Sequence, residues 1–161
     1  MSKQRAILAL IVLALLTAAC GGFGGIPANS IKGSGVVKTE TRDVSGSFMA
    51  VEVHGSGELV ITIGDTAALT IEAEDNILPL LTSDVTEGKL VLSTRPNSSI
   101  STTKPMIYRL TVTELQSLAV LDAASATLDS LTTTSFTATV SGAAKLQAGT
   151  LAAVETLNLH V

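Results

Sequence analysis

Residues 120–161 read VLDAASATLDSLTTTSFTATVSGAAKLQAGTLAAVETLNLHV, and the stretch repeats itself. Val120 and Val140 stand 20 residues apart, as do Ala124 and Ala144, Ala126 and Leu146, and Leu131 and Leu151. The next step is 21 residues, where Phe136-x-Ala138-x-Val140 matches Leu157-x-Leu159-x-Val161. Within each unit apolar and polar side chains alternate, the period of a half-buried strand. A period near 20 with strand content predicts stacked coils, none of which buries its apolar face alone. Small residues at Ala126, Ala138 and Ala148 suit a thin interior, and Thr132-Thr133-Thr134-Ser135, Thr137 and Thr139 fall on the outer wall. The fold predicted is all-β, a right-handed parallel β-helix or β-solenoid-like stack of short strands. A β-sandwich with accidental periodicity is the alternative.

The same pattern extends upstream. Val53-His54-Gly55-Ser56-Gly57-Glu58-Leu59 has the form of Val140-Ser141-Gly142-Ala143-Ala144-Lys145-Leu146. Val51 and Val53 alternate with Glu52 and His54; Leu59, Ile61 and Ile63 with Val60 and Thr62; Leu69, Ile71 and Ala73 with Thr70, Glu72 and Glu74. Gly55-Ser56-Gly57 and Gly64-Asp65 separate these runs, glycine supplying positive φ without steric cost. A strand over Leu90-Val91-Leu92 follows Glu87-Gly88-Lys89. Pro96 to Thr103 reads as a loop, and Met106 to Thr113 as a strand with Met106, Tyr108, Leu110 and Val112 on one side. Val, Ile, Leu, Thr and Ala in short runs favour pleated surfaces, so almost no helix is expected.

The opposite end of the chain is a different kind of sequence. Met1-Ser2-Lys3-Gln4-Arg5 is basic, Ala6 to Ala19 is an apolar run, and Cys20, the single cysteine, closes it. This is the layout of a bacterial lipoprotein signal, and the run is shorter than the roughly 20 apolar residues that span a bilayer. Thr17 stands where such signals usually carry Leu, with Leu16 one step back, so slower cleavage is expected. The domain reading is therefore a signal peptide over 1–19, a Gly-rich flexible tether over 20–34, and a β-solenoid domain over 35–161. Lipid on Cys20 places the protein outside the cytoplasm, anchored to the bacterial cell envelope through acyl chains such as palmitate. The repeat also predicts a further coil beyond Val161, so the domain reads as truncated there. Exposed strand edges at such an end favour homo-oligomers.

Composition excludes one class. The formal net charge is −4, and no cluster of Lys or Arg offers the counterion release that nucleic-acid binding requires. With three Phe, one Tyr and no Trp, the core must be aliphatic. A lone cysteine supplies no disulfide framework.

Few residues suggest chemistry. His54 and His160 are the only histidines, neither in a metal-ligand spacing, and both read as solvated outward positions. There is no Gly-x-Ser-x-Gly elbow for a nucleophile. Glu72, Glu74 and Asp75 form the densest acidic group and are the candidates for holding a hard cation. The preferred account is a solvated edge that blunts unwanted strand pairing. No catalytic residue and no cofactor is assigned.

Gly33-Ser34-Gly35-Val36-Val37-Lys38-Thr39-Glu40-Thr41-Arg42, then Phe48-Met49-Ala50-Val51-Glu52-Val53, then Gly55-Ser56-Gly57-Glu58-Leu59-Val60-Ile61, and Leu69-Thr70-Ile71-Glu72-Ala73-Glu74-Asp75-Asn76 resemble, in that order, the head GIN domain family of auto-transporter adhesins. The resemblance covers Gly33 to the end. Ser47 departs from it, and Leu121-Asp122-Ala123-Ala124-Ser125 replaces a Ser-Gly-rich turn. It implies exported lipoproteins of β-helical fold and a non-catalytic interaction module, an adhesin with a protein or glycan partner on a surface. A β-helical polysaccharide-cleaving enzyme and an envelope scaffold or stress-sensing component are the alternatives. The first of these needs positioned acids and groove-lining aromatic or basic residues, which are sparse here.

Overall fold

The computed structural model describes residues 30–152 and 156–160. These residues form fourteen strands: β1 (Ser30–Lys32), β2 (Val37–Arg42), β3 (Ala50–Val53), β4 (Glu58–Ile63), β5 (Ala68–Glu74), β6 (Leu81–Thr86), β7 (Lys89–Thr94), β8 (Ser99–Ser101), β9 (Ile107–Val112), β10 (Ser117–Val120), β11 (Ser125–Thr132), β12 (Ser135–Val140), β13 (Lys145–Ala152) and β14 (Thr156–His160). The only helix among the described residues is a three-residue 3-10 turn, Leu78–Leu80, with Pro79 in its first turn. The fold is all-β, as expected from the branched, alternating runs.

Two six-stranded sheets share one core. One has the order β14-β12-β10-β3-β7-β6, the other β13-β11-β4-β9-β5-β2. From β10 onward the chain alternates between them, and each strand pairs in parallel with the strand one repeat away. Val120 lies opposite Val140, Ala126 opposite Leu146, Leu131 opposite Leu151, and Phe136 opposite Leu157. The offsets read from the sequence are thus the registers of the ladders. β3 and β4 form a coil of the same kind, paired with β10 and β11, so Val53 sits beside Val120 and Leu59 beside Ala126.

Chain order and stacking order differ. β3 lies between β7 and β10, and β4 between β9 and β11. The coil from residues 50–63 is therefore wedged between strands that come later in the chain. Thr113 to Gln116 carry the chain past it, with Gln116 N–H donating to Met49 O at 2.8 Å and Leu115 buried beneath. At the far end of the stack β2, β5 and β6 pair antiparallel, the pattern of a sandwich edge. Thr86-Glu87-Gly88-Lys89 joins β6 to β7 with φ of 52° and 76° at the two central residues, as a type I′ turn requires.

The interior is aliphatic and narrow. Val51, Val53, Leu59, Ile61, Leu118, Val120, Leu128 and Ala138 belong to a single buried cluster with Phe136 and Tyr108. Tyr108 is fully buried, its hydroxyl directed at Met106 Sδ at 3.7 Å, and burial pushes the phenol up to about 12. Gly57 makes room for this ring: a Cβ there would come within 2.6 Å of the tyrosine Cε2. Val44, Phe48, Ile77 and Leu78 complete the buried cluster from outside the sheets. Ile63, expected inward, ends its strand and is 37% exposed.

Three further expectations are corrected. Ala148 is exposed, because β13 is an edge strand of its sheet and its inward side chains have one neighbouring coil instead of two. Ser30–Lys32 is a strand within the predicted tether, and Ser99–Ser101 a strand within the predicted loop; they pair with each other in parallel. The turn at Leu121–Ser125 keeps the geometry of its glycine-containing counterparts. Asp122 has φ 62°, matching Gly55 at 91° and Gly142 at 82° in the coils on either side, and Asp is among the residues that tolerate this left-handed region.

The corner stack has little room. A Cβ on Gly142 would lie 2.6 Å from the carbonyl oxygen of Asp122, whereas one on Gly88 would meet nothing within 4 Å. Gly142→Ala should therefore cost about 2–3 kcal/mol, the backbone strain plus the clash, and Gly88→Ala about 1 kcal/mol, the strain alone. Urea denaturation of the two variants measures this, and equal losses would show that corner packing is not limiting.

Candidate interaction surface

The sheet containing β3, β7, β10 and β12 presents an outer face rich in short side chains. Ser117 and Ala119 on β10 lie beside Thr137 and Thr139 on β12 and beside Ala50 and Glu52 on β3. Alternation in strands places these residues outward because Leu118, Val120 and Ala138 take the buried positions. The Thr/Ser wall expected from the repeat is thus present, Thr132, Thr134 and Ser135 being exposed and Thr133, Thr137 and Thr139 half-buried.

A line of charged groups crosses this face along the stack. Lys89 Nζ on β7 is 2.8 Å from Glu52 Oε2 on β3, and Glu52 Oε1 is 2.6 Å from Nε2 of His54. His54 Nδ1 is 3.7 Å from Asp122 Oδ2 in the next coil, and that oxygen accepts the N–H of Gly55 at 3.0 Å. Lys89 and then His54 hold the Glu52 carboxyl below the usual carboxylate range, and Glu52 in turn raises Lys89. His54 is thus a partly covered member of a polar network, not an isolated solvated residue. The network ties three layers together, and no hydroxyl or thiol nucleophile is hydrogen-bonded to its imidazole among the described residues. His160 belongs to β14, whose side chains from Leu157 onward lie outside the described residues.

The acidic group resolves differently from expectation. β5 is not an edge strand, since β2 and β9 flank it, so a pairing-blunting role for Glu72, Glu74 and Asp75 does not apply. Glu74 is 1% exposed. Its carboxylate accepts the N–H of Gly35 at 2.7 Å, the N–H of Thr103 at 2.9 Å and the hydroxyl of Thr103 at 2.5 Å. Gly33 packs directly on it, in space no side chain could share. Asp75 accepts the hydroxyl of Ser34 at 2.6 Å, and Asn76 bonds both the Ser34 N–H and the Lys32 carbonyl. Glu74 thus has its acceptor capacity spent on protein donors, while Glu72 is half-buried on the outer face of the sheet. Among the described residues no group of three or more His, Cys, Asp or Glu side chains is placed to hold a metal ion.

What this triad does is fasten the segment Lys32–Gly35 and the loop at Thr103 to the end of β5. Thr103 was not legible as its partner, because the contact spans 29 residues of sequence with no local pattern. Asp122 and Lys89 were missed for the same reason. Cys20 and the rest of residues 1–29 lie outside the described residues.

Clefts among the described residues add little chemistry, and a third of about 630 Å³, between Thr41–Gly46 and Thr66–Ala68, joins the two that follow. One of about 510 Å³ is lined by Gly46–Met49, Asp65–Ala67, Thr113 and Glu114. The other, about 910 Å³, lies over Glu58, Ser125–Thr127 and Lys145–Ala148. None carries an exposed aromatic ring on which a sugar could stack.

The hydrogen bonds of Thr103, and those from Gly35 and Lys104, hold the Glu74 carboxyl below its usual value against the opposing effect of burial. A carboxylate with a depressed folded pKa contributes stability that is present above its unfolded value, 4.5, and is lost as pH falls through the folded one. Glu74→Gln should therefore lower the melting temperature at neutral pH, with the gap to the unsubstituted protein closing as the pH falls from 4.5 through the lowered folded value. A gap that stays constant across an acid titration would remove the charge from this account.

Structures of known proteins share the fold. A putative adhesin from Bacteroides fragilis superposes with a TM-score of 0.72 at 21% identity, covering 81% of this chain and 60% of that one. A putative lipid binding protein and a putative adhesin, both from Parabacteroides distasonis, give TM-scores of 0.64 and 0.61 at 16% and 15% identity. They cover 75% and 76% of this chain and 53% and 60% of their own chains. The chain thus spans about three fifths or less of the length of these structures. No curated protein matches it. No helix of the described residues is long and apolar enough to cross a membrane. The sequence profile described as "putative auto-transporter adhesin, head GIN domain" matches residues 47–161, most of the chain, and the protein belongs to that family.

Proposed function

We propose that this protein is a lipid-anchored, extracytoplasmic interaction module of the bacterial envelope, adhesive and non-catalytic. Membership of an adhesin family is the observation that carries the reading. The outer face rich in Ser, Thr and Ala supports it, because it offers hydroxyls for hydrogen bonds on a scaffold whose backbone is already paired. The polar network and the buried Glu74 support it as well, since each charged group described in them has structural partners. The basic-apolar leader ending at Cys20 supports the anchor. A thioether-linked diacylglyceryl group contributes about 0.8 kcal/mol per buried methylene, so two or more chains hold such a module firmly. The partner is a protein or glycan surface.

Two measurements test this. Cys20→Ser should move the protein from the membrane fraction to the soluble extracytoplasmic fraction, and unchanged sedimentation would refute the anchor. Uronic-acid and neutral polysaccharides should remain uncleaved by the purified protein. Turnover that disappears with Asp65→Asn or Glu114→Gln, the two acids of the smallest cleft, would instead make it an enzyme.

A further inference from the structure

We propose that β2 is a self-recognition edge, at which two copies of this chain join their outer sheets antiparallel about a two-fold axis. β2 ends the sheet order β13-β11-β4-β9-β5-β2, and among the described residues no strand pairs with its outer side. Val37–Thr41 is exposed along its length, Val36 and Val37 being 54% and 40% exposed. Such an edge is a template for another strand.

Backbone alternation fixes the register. Val36 O accepts the N–H of Asp75, so Val36, Lys38, Glu40 and Arg42 direct their backbone groups at β5. Val37, Thr39 and Thr41 then direct theirs outward. A two-fold antiparallel pairing can centre on one of these three or on an intervening residue, and centring on Lys38 or Glu40 would set each against its own copy, like charge facing like. Centring on Thr39 uses the whole strand, placing Thr39 opposite its own copy and Val37 opposite Thr41 of the second copy. The intervening non-hydrogen-bonded pairs, in which side chains approach most closely, become Lys38 with Glu40 and Glu40 with Lys38. Both are opposite in charge. Lys38 is 64% exposed, with a long 3.6 Å pairing to Asp75, and Glu40 is 47% exposed, paired with Arg42 Nε at 3.1 Å along its own strand, so both exchange a surface partner for the second copy without leaving a buried site.

The competing account is that these charges merely protect an edge from pairing. Lys38, Glu40 and Arg42 lie opposite Ala73, Ile71 and Leu69, hence on the core-facing side, where charges often serve that purpose. The two accounts differ in what a charge reversal does. Protection is indifferent to exchanging Lys38 and Glu40, whereas self-recognition is broken by either reversal alone and restored by both.

The test uses the full chain expressed in intact cells. Thr39→Cys should give an oxidant-dependent covalent dimer on a non-reducing gel, since facing residues of a hydrogen-bonded pair have Cα atoms about 5.5 Å apart, within disulfide reach. Thr41→Cys, four positions out of register with itself, should not, and the unsubstituted chain sets the background from Cys20. In the Thr39→Cys background, Lys38→Glu or Glu40→Lys should lower the dimer yield about tenfold, and the double exchange should return it. The charge variants without the added cysteine, joined by an amine-independent photocrosslinker, repeat the comparison should the cysteine perturb folding. No dimer above background, or single reversals that leave the yield unchanged, would overturn the proposal.

Discussion

Each coil of this protein satisfies its backbone on the coil beside it at an offset fixed within each ladder, 20 residues from β10 to β12 and from β11 to β13. Val120 opposite Val140 and Leu131 opposite Leu151 are consequences of that ladder. A fixed offset requires every corner to use the same number of residues and the same backbone path, which is why Gly55, Asp122 and Gly142 all take positive φ. Leu121 N–H reaches Val53 O and Ser141 N–H reaches Val120 O, so the corner itself is hydrogen-bonded layer to layer. The ladder also sets the core, because a residue that points inward in one coil stacks on inward residues above and below. The filling is mainly aliphatic, with Tyr108 and Phe136 as its largest side chains.

That constraint explains what could be read from the residues alone. In-register parallel pairing preserves sequence spacing, so the repeat announced its own register, and alternation identified Leu59, Ile61, Leu69, Ile71, Tyr108 and Leu110 as inward. Where pairing leaves the repeat, local pattern carries nothing. The antiparallel strands β2, β5 and β6, the β1–β8 pair, and the partners of Glu74 and Asp122 all depend on contacts between segments tens of residues apart. Glu74 shows the difficulty well. An acidic residue alternating with Ala73 looks like a solvated position, and only the arrival of Gly33, Gly35 and Thr103 buries it.

A stack of coils needs an end, and the antiparallel strands supply one here. β2 places Lys38, Glu40 and Arg42 over the side of the sheet that elsewhere carries Ile71 and Leu69, so the apolar filling stops under charge. Arg42 extends one guanidinium nitrogen to the carbonyl of Leu78 at 2.9 Å, joining that charged rim to the 3-10 turn. Val44, Phe48, Ile77 and Leu78 close the interior behind it. Repeat proteins generally need such polar terminal units for solubility.

The chain order makes this end more than a cap. In a simple repeat array each unit touches only its sequence neighbours, so stability is lost by peeling from a terminus. Here the coil of β3 and β4 sits between β7 with β9 on one side and β10 with β11 on the other. Taking it out would split the stack in the middle. Its pairings span long sequence separations, and both of its sides are covered only once the segment through β11 is present, a topology of high contact order that forms slowly. The segment Lys32–Gly35 enters beside that body and is tied by Glu74, Asp75 and Asn76 at the end of β5. Tension applied from upstream therefore meets the hydrogen bonds of those three residues and the β1–β8 pair before it meets any coil.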